Sequence, residues 1–299
     1  MRGRLLGTLC LLPCLTMAAS ALRTDMLVST DWLAQHLKDP KIVIIQVSRD
    51  RKAYDAGHVP GARFLVLTDI AITRDGILNE LAPAGDLKSV FERLGVSDDS
   101  RVILYGDASV LPATRAYFTL DYLGHGDQTA LLDGGLPKWQ AESRALAKDT
   151  PEVKAGHFTP HPRPEIVIDL NSAKDLSFAA ANAFSSSPVL LDARTAPEFQ
   201  GKSAASEITR PGHIPGAANV YWMDGQKSKD DMSLQTEAAL RKLYEAAGVV
   251  PNRPVVTYCN TGMQASQSYF TLKYLGYDAR MYDGSYSEWS SAKGTEVQK

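Results

Sequence analysis

The sequence has little cysteine, little histidine and almost no excess of charge. There are three cysteines and six histidines in 299 residues, and the formal net charge is −2. Three cysteines cannot build the dense disulfide framework of small secreted domains. Without a basic block, the chain has no electrostatic footprint of a nucleic-acid binder. His157 and His161 lie four apart but in a proline-rich stretch, so we expect exposed histidines there and no metal or cofactor.

The one long apolar run lies at the N-terminus. Arg2 and Arg4 precede an apolar segment at residues 5–17, and Ala-Ser-Ala follows at residues 19–21. This order is typical of a cleaved signal peptide, and the run is too short to span a bilayer. We therefore predict a signal at residues 1–21 and a secreted, periplasmic protein that makes no membrane contact after cleavage. Cleavage removes Cys10 and Cys14 and leaves Cys259 as the lone cysteine.

The rest of the chain repeats itself once. Gly-His-Val-Pro-Gly-Ala at residues 57–62 returns as Gly-His-Ile-Pro-Gly-Ala at 212–217, and Tyr-Phe-Thr-Leu at 117–120 returns at 269–272. A period this long indicates tandem domains, since solenoid repeats are far shorter. We predict domains at residues 26–149 and 165–293. The stretch 150–164, which contains four prolines, is the predicted linker.

Each repeat alternates short apolar runs with helical patterns. Residues 42–47 and 188–192 are β-branched runs typical of buried strands, as are 102–105 and 255–258. Aromatic and leucine residues at helical spacing follow at 117–123 and 269–275. The alternation predicts an α/β fold in which each domain is a mainly parallel sheet flanked by helices on both faces.

One strand–loop–helix junction carries a nucleophile. Cys259 follows the strand at 255–258, and a helix is predicted to begin at about Gln264 or Ala265. The helix N-terminus would then face the sulfur and lower the pKa of the thiol. Gly262 allows a positive φ, so successive N–H groups of the loop can converge on an anion. A buried structural cysteine remains the alternative.

Taken together, these motifs resemble the rhodanese family. They are the repeated Gly-His-x-Pro-Gly-Ala turn, Leu-Leu-Asp-Ala-Arg at residues 190–194, Leu-Asp-Gly-Gly-Leu-Pro at 132–137 and the loop opened by Cys259. The resemblance covers nearly all of the predicted mature chain. It implies the tandem form, in which the first domain is catalytically silent. Gly106 stands where the second copy has Cys259, which fits that form.

The resemblance also implies a mechanism. Cys259 would take sulfur from a donor as a persulfide and pass it to a thiophilic acceptor such as cyanide or a thiol, which is covalent catalysis. The backbone N–H groups that would hold the persulfide belong to Asn260, Thr261, Gly262, Met263, Gln264 and Ala265.

Two arginines are candidate anion contacts in that mechanism. The resemblance places Arg194 near the donor, although an ion pair with Glu198 is an alternative. Arg210 precedes the second Gly-His turn and is predicted as a second cationic contact. His58 and His213 occupy matched turns in both copies, so we expect them to stabilise the fold.

The donor is less defined than the reaction. Family members that use thiosulfate often carry Arg-Lys after the cysteine, and those that use 3-mercaptopyruvate carry Gly-Ser; this chain has Asn260 and Thr261. We place thiosulfate first and 3-mercaptopyruvate second. A persulfide carrier that serves a protein partner is the non-enzymatic alternative. A phosphatase on the same scaffold would need an arginine at the end of a longer loop, and residues 262–266 contain none.

Overall fold

The computed structural model describes residues 20–182 and 187–299. Most of the predicted signal peptide, residues 1–19, lies outside the described residues. Within the described part, no helix has both the length and the apolar character that crossing a bilayer requires.

Twelve strands are found in the described residues, and ten of them form two five-stranded parallel sheets. The first sheet has the order β1-β7-β6-β2-β3 and the second β10-β9-β11-β12-β8, while β4 and β5 form an antiparallel hairpin. The strands are β1 (Leu27–Val28), β2 (Ile42–Ser48), β3 (Arg63–Val66), β4 (Ala71–Arg74), β5 (Ile77–Leu81), β6 (Arg101–Gly106), β7 (Thr129–Leu132), β8 (Val167–Ile168), β9 (Val189–Asp192), β10 (Ala218–Asn219), β11 (Val255–Tyr258) and β12 (Ala279–Tyr282).

Helices cover both faces of each sheet, which confirms the predicted α/β architecture. The apolar side chains of one strand alternate between clusters on opposite faces, as parallel strands covered on both sides require. The helices are α1 (Thr30–His36), α2 (Lys52–Ala56), α3 (Ala84–Arg93), α4 (Leu111–Tyr122), α5 (Gly135–Ala141), α6 (Leu170–Ala181), α7 (Ala196–Phe199), α8 (Glu237–Glu245), α9 (Met263–Tyr274) and α10 (Ser285–Ser291).

The equivalent helices α4 and α9 pack against each other and join the two domains. Phe118 meets Tyr269 edge-on, with ring centroids 5.0 Å apart, and Tyr117 meets Phe270 in the same way at 4.9 Å. The repeated aromatic stripes thus form the domain interface as well as the core. Both helices are almost wholly buried, because each has a sheet on one side and its counterpart on the other.

The hairpin β4–β5 of the first domain extends to the second. The Asn79 amide Nδ2 donates to the Thr261 hydroxyl at 2.9 Å, and the Leu81 backbone N–H donates to Asp283 Oδ2 at 2.8 Å. Arg115 on α4 donates to the other oxygen of Asp283 at 2.6 Å. Three first-domain residues therefore contact the loop that follows Cys259 or the segment beside it.

The proline-rich linker runs in extended form along the first domain. The backbone N–H groups of Gly156 and His161 donate to carbonyls of Glu92 and Leu123. At the other end of the chain, His213 and Gln298 exchange backbone hydrogen bonds, so residue 298 packs against the Gly-His turn of the second repeat.

Candidate functional site

Cys259 lies at the carboxyl edge of the second sheet, directly after the central strand β11. Tyr258 of β11 is in register with Asp192 of β9. A short loop of residues 259–262 leads into α9, which begins at Met263, slightly earlier than predicted. Parallel α/β sheets bind their ligands at this edge. Cys259 is the sole cysteine of the described residues, and it is 1% exposed.

The loop forms a cradle of N–H groups around the sulfur. The backbone N–H groups of Thr261, Gln264 and Ala265 lie close enough to the Cys259 sulfur to act to lower the pKa of its thiol. Gly262 makes this curvature possible with a φ of +81°, as predicted.

The thiol pKa differs from the prediction. Burial raises the pKa of Cys259, while the N–H groups of Ala265, Thr261 and Gln264 act to lower it. Burial is the larger effect, so the pKa lies above its ordinary value of 9.0 and the predicted lowering is wrong. The sequence shows the loop and the helix start, but it does not show how completely the surrounding layers exclude water.

The start of α10 supports the loop from behind. The Cys259 N–H donates to Ser285 Oγ at 3.3 Å, and the Cys259 carbonyl accepts from the Tyr286 N–H at 2.9 Å. The Asn260 carbonyl accepts from the Ser287 N–H at 3.0 Å. These three hydrogen bonds hold the backbone of Cys259 and Asn260 against the start of α10.

Arg194 lies near the loop but is bound to another side chain. Its guanidinium forms a bidentate pair with Asp192, at 2.5–3.1 Å, and both side chains are almost completely buried. It also stacks on Tyr286, with 4.0 Å from Cζ to the ring centroid. One nitrogen, Nη1, is directed toward the Asn260 amide oxygen at 3.5 Å. The alternative ion pair of Arg194 with Glu198 is not formed, because the guanidinium of Arg194 pairs with Asp192.

Arg210 does not join the loop. Its three guanidinium nitrogens donate to the carbonyls of Trp289, Ser290, Ala292 and Thr295, and to the Thr295 hydroxyl. These groups lie in the last turn of α10 and just after it, where carbonyls lack partners within the helix. The predicted anion contact is therefore replaced by a helix C-terminal cap, at the end of α10 opposite to Cys259.

The side chains of Asn260 and Thr261 are both held from outside the loop. The Asn260 amide Nδ2 donates to Glu198 Oε1 at 2.8 Å, and Thr261 accepts from Asn79. Burial alone would raise the pKa of Glu198, but hydrogen bonds from Thr195 and Asn260 lower it, so this carboxylate is ionised. The side chains of both residues that follow Cys259 are thus fixed by neighbouring elements.

The two matched histidines bind backbone. His58 Nδ1 lies 2.8 Å from the Tyr54 carbonyl and its Nε2 lies 3.0 Å from that of Asp149. His213 Nδ1 lies 2.8 Å from the Phe199 carbonyl, and its ring stacks on Phe199 at 3.7 Å. These contacts stabilise the turns, as predicted, and are repeated in both domains.

The first domain cannot hold a nucleophile at the matching position. Gly106, the last residue of β6, matches Cys259, which comes directly after β11. A Cβ atom on Gly106 would overlap the Ser109 carbonyl oxygen. Asp107 occupies the place of Asn260 and accepts from the Ser48 hydroxyl at 2.7 Å. The loop has closed over the space that a cysteine side chain would need.

Sequence reasoning gave no role at the loop to five residues, Asn79, Arg115, Glu198, Asp283 and Ser285, and named Glu198 only as an alternative partner of Arg194. Two of them, Asp283 and Ser285, lie in Tyr-Asp-Gly-Ser at residues 282–285, which resembles Leu-Asp-Gly-Gly at 132–135, and that repeat was the available signal. The others contact the loop across the domain interface or from a short helix, and no local pattern marks them.

Comparison with known proteins agrees with this geometry. The sequence matches the rhodanese-like domain family over residues 29–142 and 177–292. The Thermus thermophilus protein named "Sulfur carrier protein TtuD" is 33% identical over 92% of this chain and 97% of its own. The Mycolicibacterium smegmatis protein named "Putative thiosulfate sulfurtransferase" is 34% identical over 92% of this chain and 98% of its own.

Solved structures share the fold. Wild-type EanB aligns with a TM-score of 0.81 at 23% identity, over 92% of this chain and 69% of that one. YnjE aligns with a TM-score of 0.81 at 24% identity, over 92% and 68%. At this level of sequence identity, the solved structures show that the fold is shared. Membership of a family is shown by the family match and by the relatives that are at least 33% identical. The chain belongs to the rhodanese-like family, as a tandem of two such domains.

Proposed function

We propose that the protein is a sulfurtransferase that carries sulfur as a persulfide on Cys259. The observation that supports this most is the position of Cys259 directly after the central strand β11, in a short loop that Gly262 turns into the N-terminus of α9, so that backbone N–H groups of the loop and of the first helical turn face the sulfur. Such a cradle stabilises an anionic outer sulfur, much as an oxyanion hole stabilises oxygen.

The chemistry consists of two displacements. The thiol loses its proton to water, and the thiolate attacks the outer sulfur of thiosulfate; the S–S bond of the donor breaks and sulfite leaves. Cyanide then attacks the outer sulfur of the persulfide, so that thiocyanate leaves and the Cys259 thiolate returns. With 3-mercaptopyruvate the C–S bond breaks, the thiol proton moves to carbon and pyruvate leaves. Two half-reactions of this kind predict ping-pong kinetics.

We propose thiosulfate as the first donor and 3-mercaptopyruvate as the second. Relatives named as thiosulfate sulfurtransferases support this order. The cations near the loop are largely neutralised, since Arg194 pairs with Asp192 and Arg115 pairs with Asp283. We therefore expect neutral hydrogen-bond donors and backbone N–H groups to supply much of the anion binding.

A sulfur carrier is the second candidate, and the relative named as a carrier favours it. A carrier must present its sulfur to a protein partner. Cys259 is 1% exposed, which favours a small donor and a small acceptor over direct contact with a protein thiol.

Intact mass measurement separates the two candidates. The mature protein is incubated with thiosulfate or 3-mercaptopyruvate, freed of excess donor and weighed. We expect a gain of one sulfur atom that cyanide removes and that Cys259→Ser abolishes. No gain with either donor would contradict the enzymatic proposal and favour a carrier loaded by another protein.

We further propose that residues 1–21 direct export and are removed. Arg241 Nη2 donates to the Ser20 carbonyl at 2.7 Å, a contact that cleavage after Ala21 would delete. N-terminal sequencing of the protein from a periplasmic fraction tests this. An unprocessed N-terminus in the cytosolic fraction would overturn it.

A further inference from the structure

The Thr261 side chain has a hydroxyl proton with no acceptor among residues 20–182 and 187–299. Its Oγ1 accepts a hydrogen bond from Asn79 Nδ2 at 2.9 Å, and both side chains are half-buried. An amide N–H can only donate, so this contact uses a lone pair of the hydroxyl and leaves its proton available. Thr261 also supplies one of the N–H groups that reach the Cys259 sulfur.

Asn79 is held firmly in this position by its backbone and by its neighbours. Its φ is +62°, a left-handed conformation that asparagine adopts more readily than most residues. Two residues later, the Leu81 N–H binds Asp283 Oδ2 at 2.8 Å. Asp283 is in turn paired with the buried Arg115. Strand β5 of the hairpin is therefore fixed against the second domain.

We propose that Asn79 is a positioning residue that sets the Thr261 hydroxyl as a hydrogen-bond donor to the anionic group of the sulfur donor. The nearby guanidinium groups of Arg194 and Arg115 are paired with carboxylates. A neutral hydroxyl therefore supplies a larger share of the hydrogen bonding to a bound anion. The first domain thereby takes part in donor recognition through its hairpin, although it has no nucleophile. This inference rests on the proposed sulfur transfer and adds the residue that governs its first step.

Three variants test the proposal. Asn79→Gly deletes the amide and keeps the positive φ without strain. Thr261→Val removes the hydroxyl at nearly constant volume, and the third variant combines both changes. We expect Asn79→Gly to raise KM for thiosulfate about ten-fold, the loss of roughly one hydrogen bond to a charged group. Thr261→Val should do the same, and the double variant should lose no more than either.

Asn79→Asp tests the direction of the hydrogen bond. A carboxylate can only accept, so it would consume the Thr261 proton and add a negative charge near the donor. We expect a larger rise in KM than for Asn79→Gly. A KM equal to that of the native protein would overturn the assigned direction.

Asn252→Gly is the matched control. Asn252 has a φ of +63° and is exposed in a loop, so the same substitution there changes the backbone in the same way. Its KM should equal that of the native protein. A second readout is the discharge of a preloaded persulfide by cyanide, which we expect to stay within about two-fold in Asn79→Gly because the donor anion has already left.

The outcomes separate this inference from the proposed function. If the native protein gains no sulfur from either donor, the proposed function fails. If the native protein is loaded but Asn79→Gly keeps the native KM, only this inference fails. A loss in Asn79→Gly that adds fully to that of Thr261→Val would also overturn it, since the two residues would then act independently.

Discussion

The pair of Arg115 and Asp283 gives the sharpest stability prediction. It joins the two domains at 2.6 Å, and its side chains are 0% and 9% exposed, so water screens it little. Arg115 Nε and Nη2 have no hydrogen-bond partner within the described part of the chain. Asp283 is therefore the main compensation for a buried positive charge.

Asp283→Asn keeps the shape of the side chain and removes its charge. Breaking a buried pair from one side costs about 3–5 kcal/mol, because the other charge stays buried and unpaired. For a protein of this size, that loss corresponds to a fall in Tm of about 10 °C. Urea unfolding and calorimetry measure the two quantities independently.

A surface pair is the control for this measurement. Asp278 pairs with Arg280 at 3.3 Å, with side chains 54% and 34% exposed. Asp278→Asn should cost less than about 1 kcal/mol. If Asp283→Asn were no more destabilising than Asp278→Asn, the reasoning from burial would be refuted. Replacing the whole pair by Arg115→Met and Asp283→Leu should recover much of the loss.

Three further predictions follow from the site. Gly106→Cys combined with Cys259→Ser should take up no sulfur by intact mass, because the Ser109 carbonyl fills the space; a stable adduct would show that the loop can open. Alkylation of Cys259 by iodoacetamide should keep accelerating above pH 9.0, since burial raises the pKa of the thiol. Because the pKa of the thiol is higher in the folded protein, its contribution to the free energy of unfolding is present below pH 9.0 and declines above it. An alkylation rate that levels off near neutrality would contradict both the raised pKa and this pH dependence of stability. Arg210→Met should cost about 2–3 kcal/mol of stability, because it removes the charged hydrogen-bond donor that the carbonyls of Trp289, Ser290, Ala292 and Thr295 share. The Arg210→Met variant should have an unchanged KM for thiosulfate. A raised KM in a variant of native stability would instead support the original prediction that Arg210 contacts the anion.

Much of the fold could be predicted because it depends on local patterns. The apolar runs at residues 42–47 and 255–258 became β2 and β11 with nearly the predicted bounds. The repeated motifs predicted two similar domains, and both sheets have the same strand order. Gly262 was predicted to have a positive φ because a tight loop before a helix requires one.

The chemistry of the arginines could not be predicted in the same way. Arg194 and Arg210 were both predicted to contact the donor anion, with an ion pair to Glu198 as the alternative for Arg194. Arg194 turned out to be paired with Asp192, and Arg210 with carbonyls about 80 residues away in the chain. A guanidinium binds the strongest acceptor that the packed chain brings near it, and a sequence does not show that distance.

The sequence by itself determined the duplicated architecture, the position of Cys259 at a strand end and the glycine, Gly106, at the matching position of the first repeat. These follow from periodicity, turn chemistry and residue identity, all of which are local. Only the tertiary structure decided the burial of the thiol, the direction of its pKa shift and the contact of Asn79 with Thr261. Those depend on how much water the neighbouring layers exclude and on which side chains meet across the domain interface.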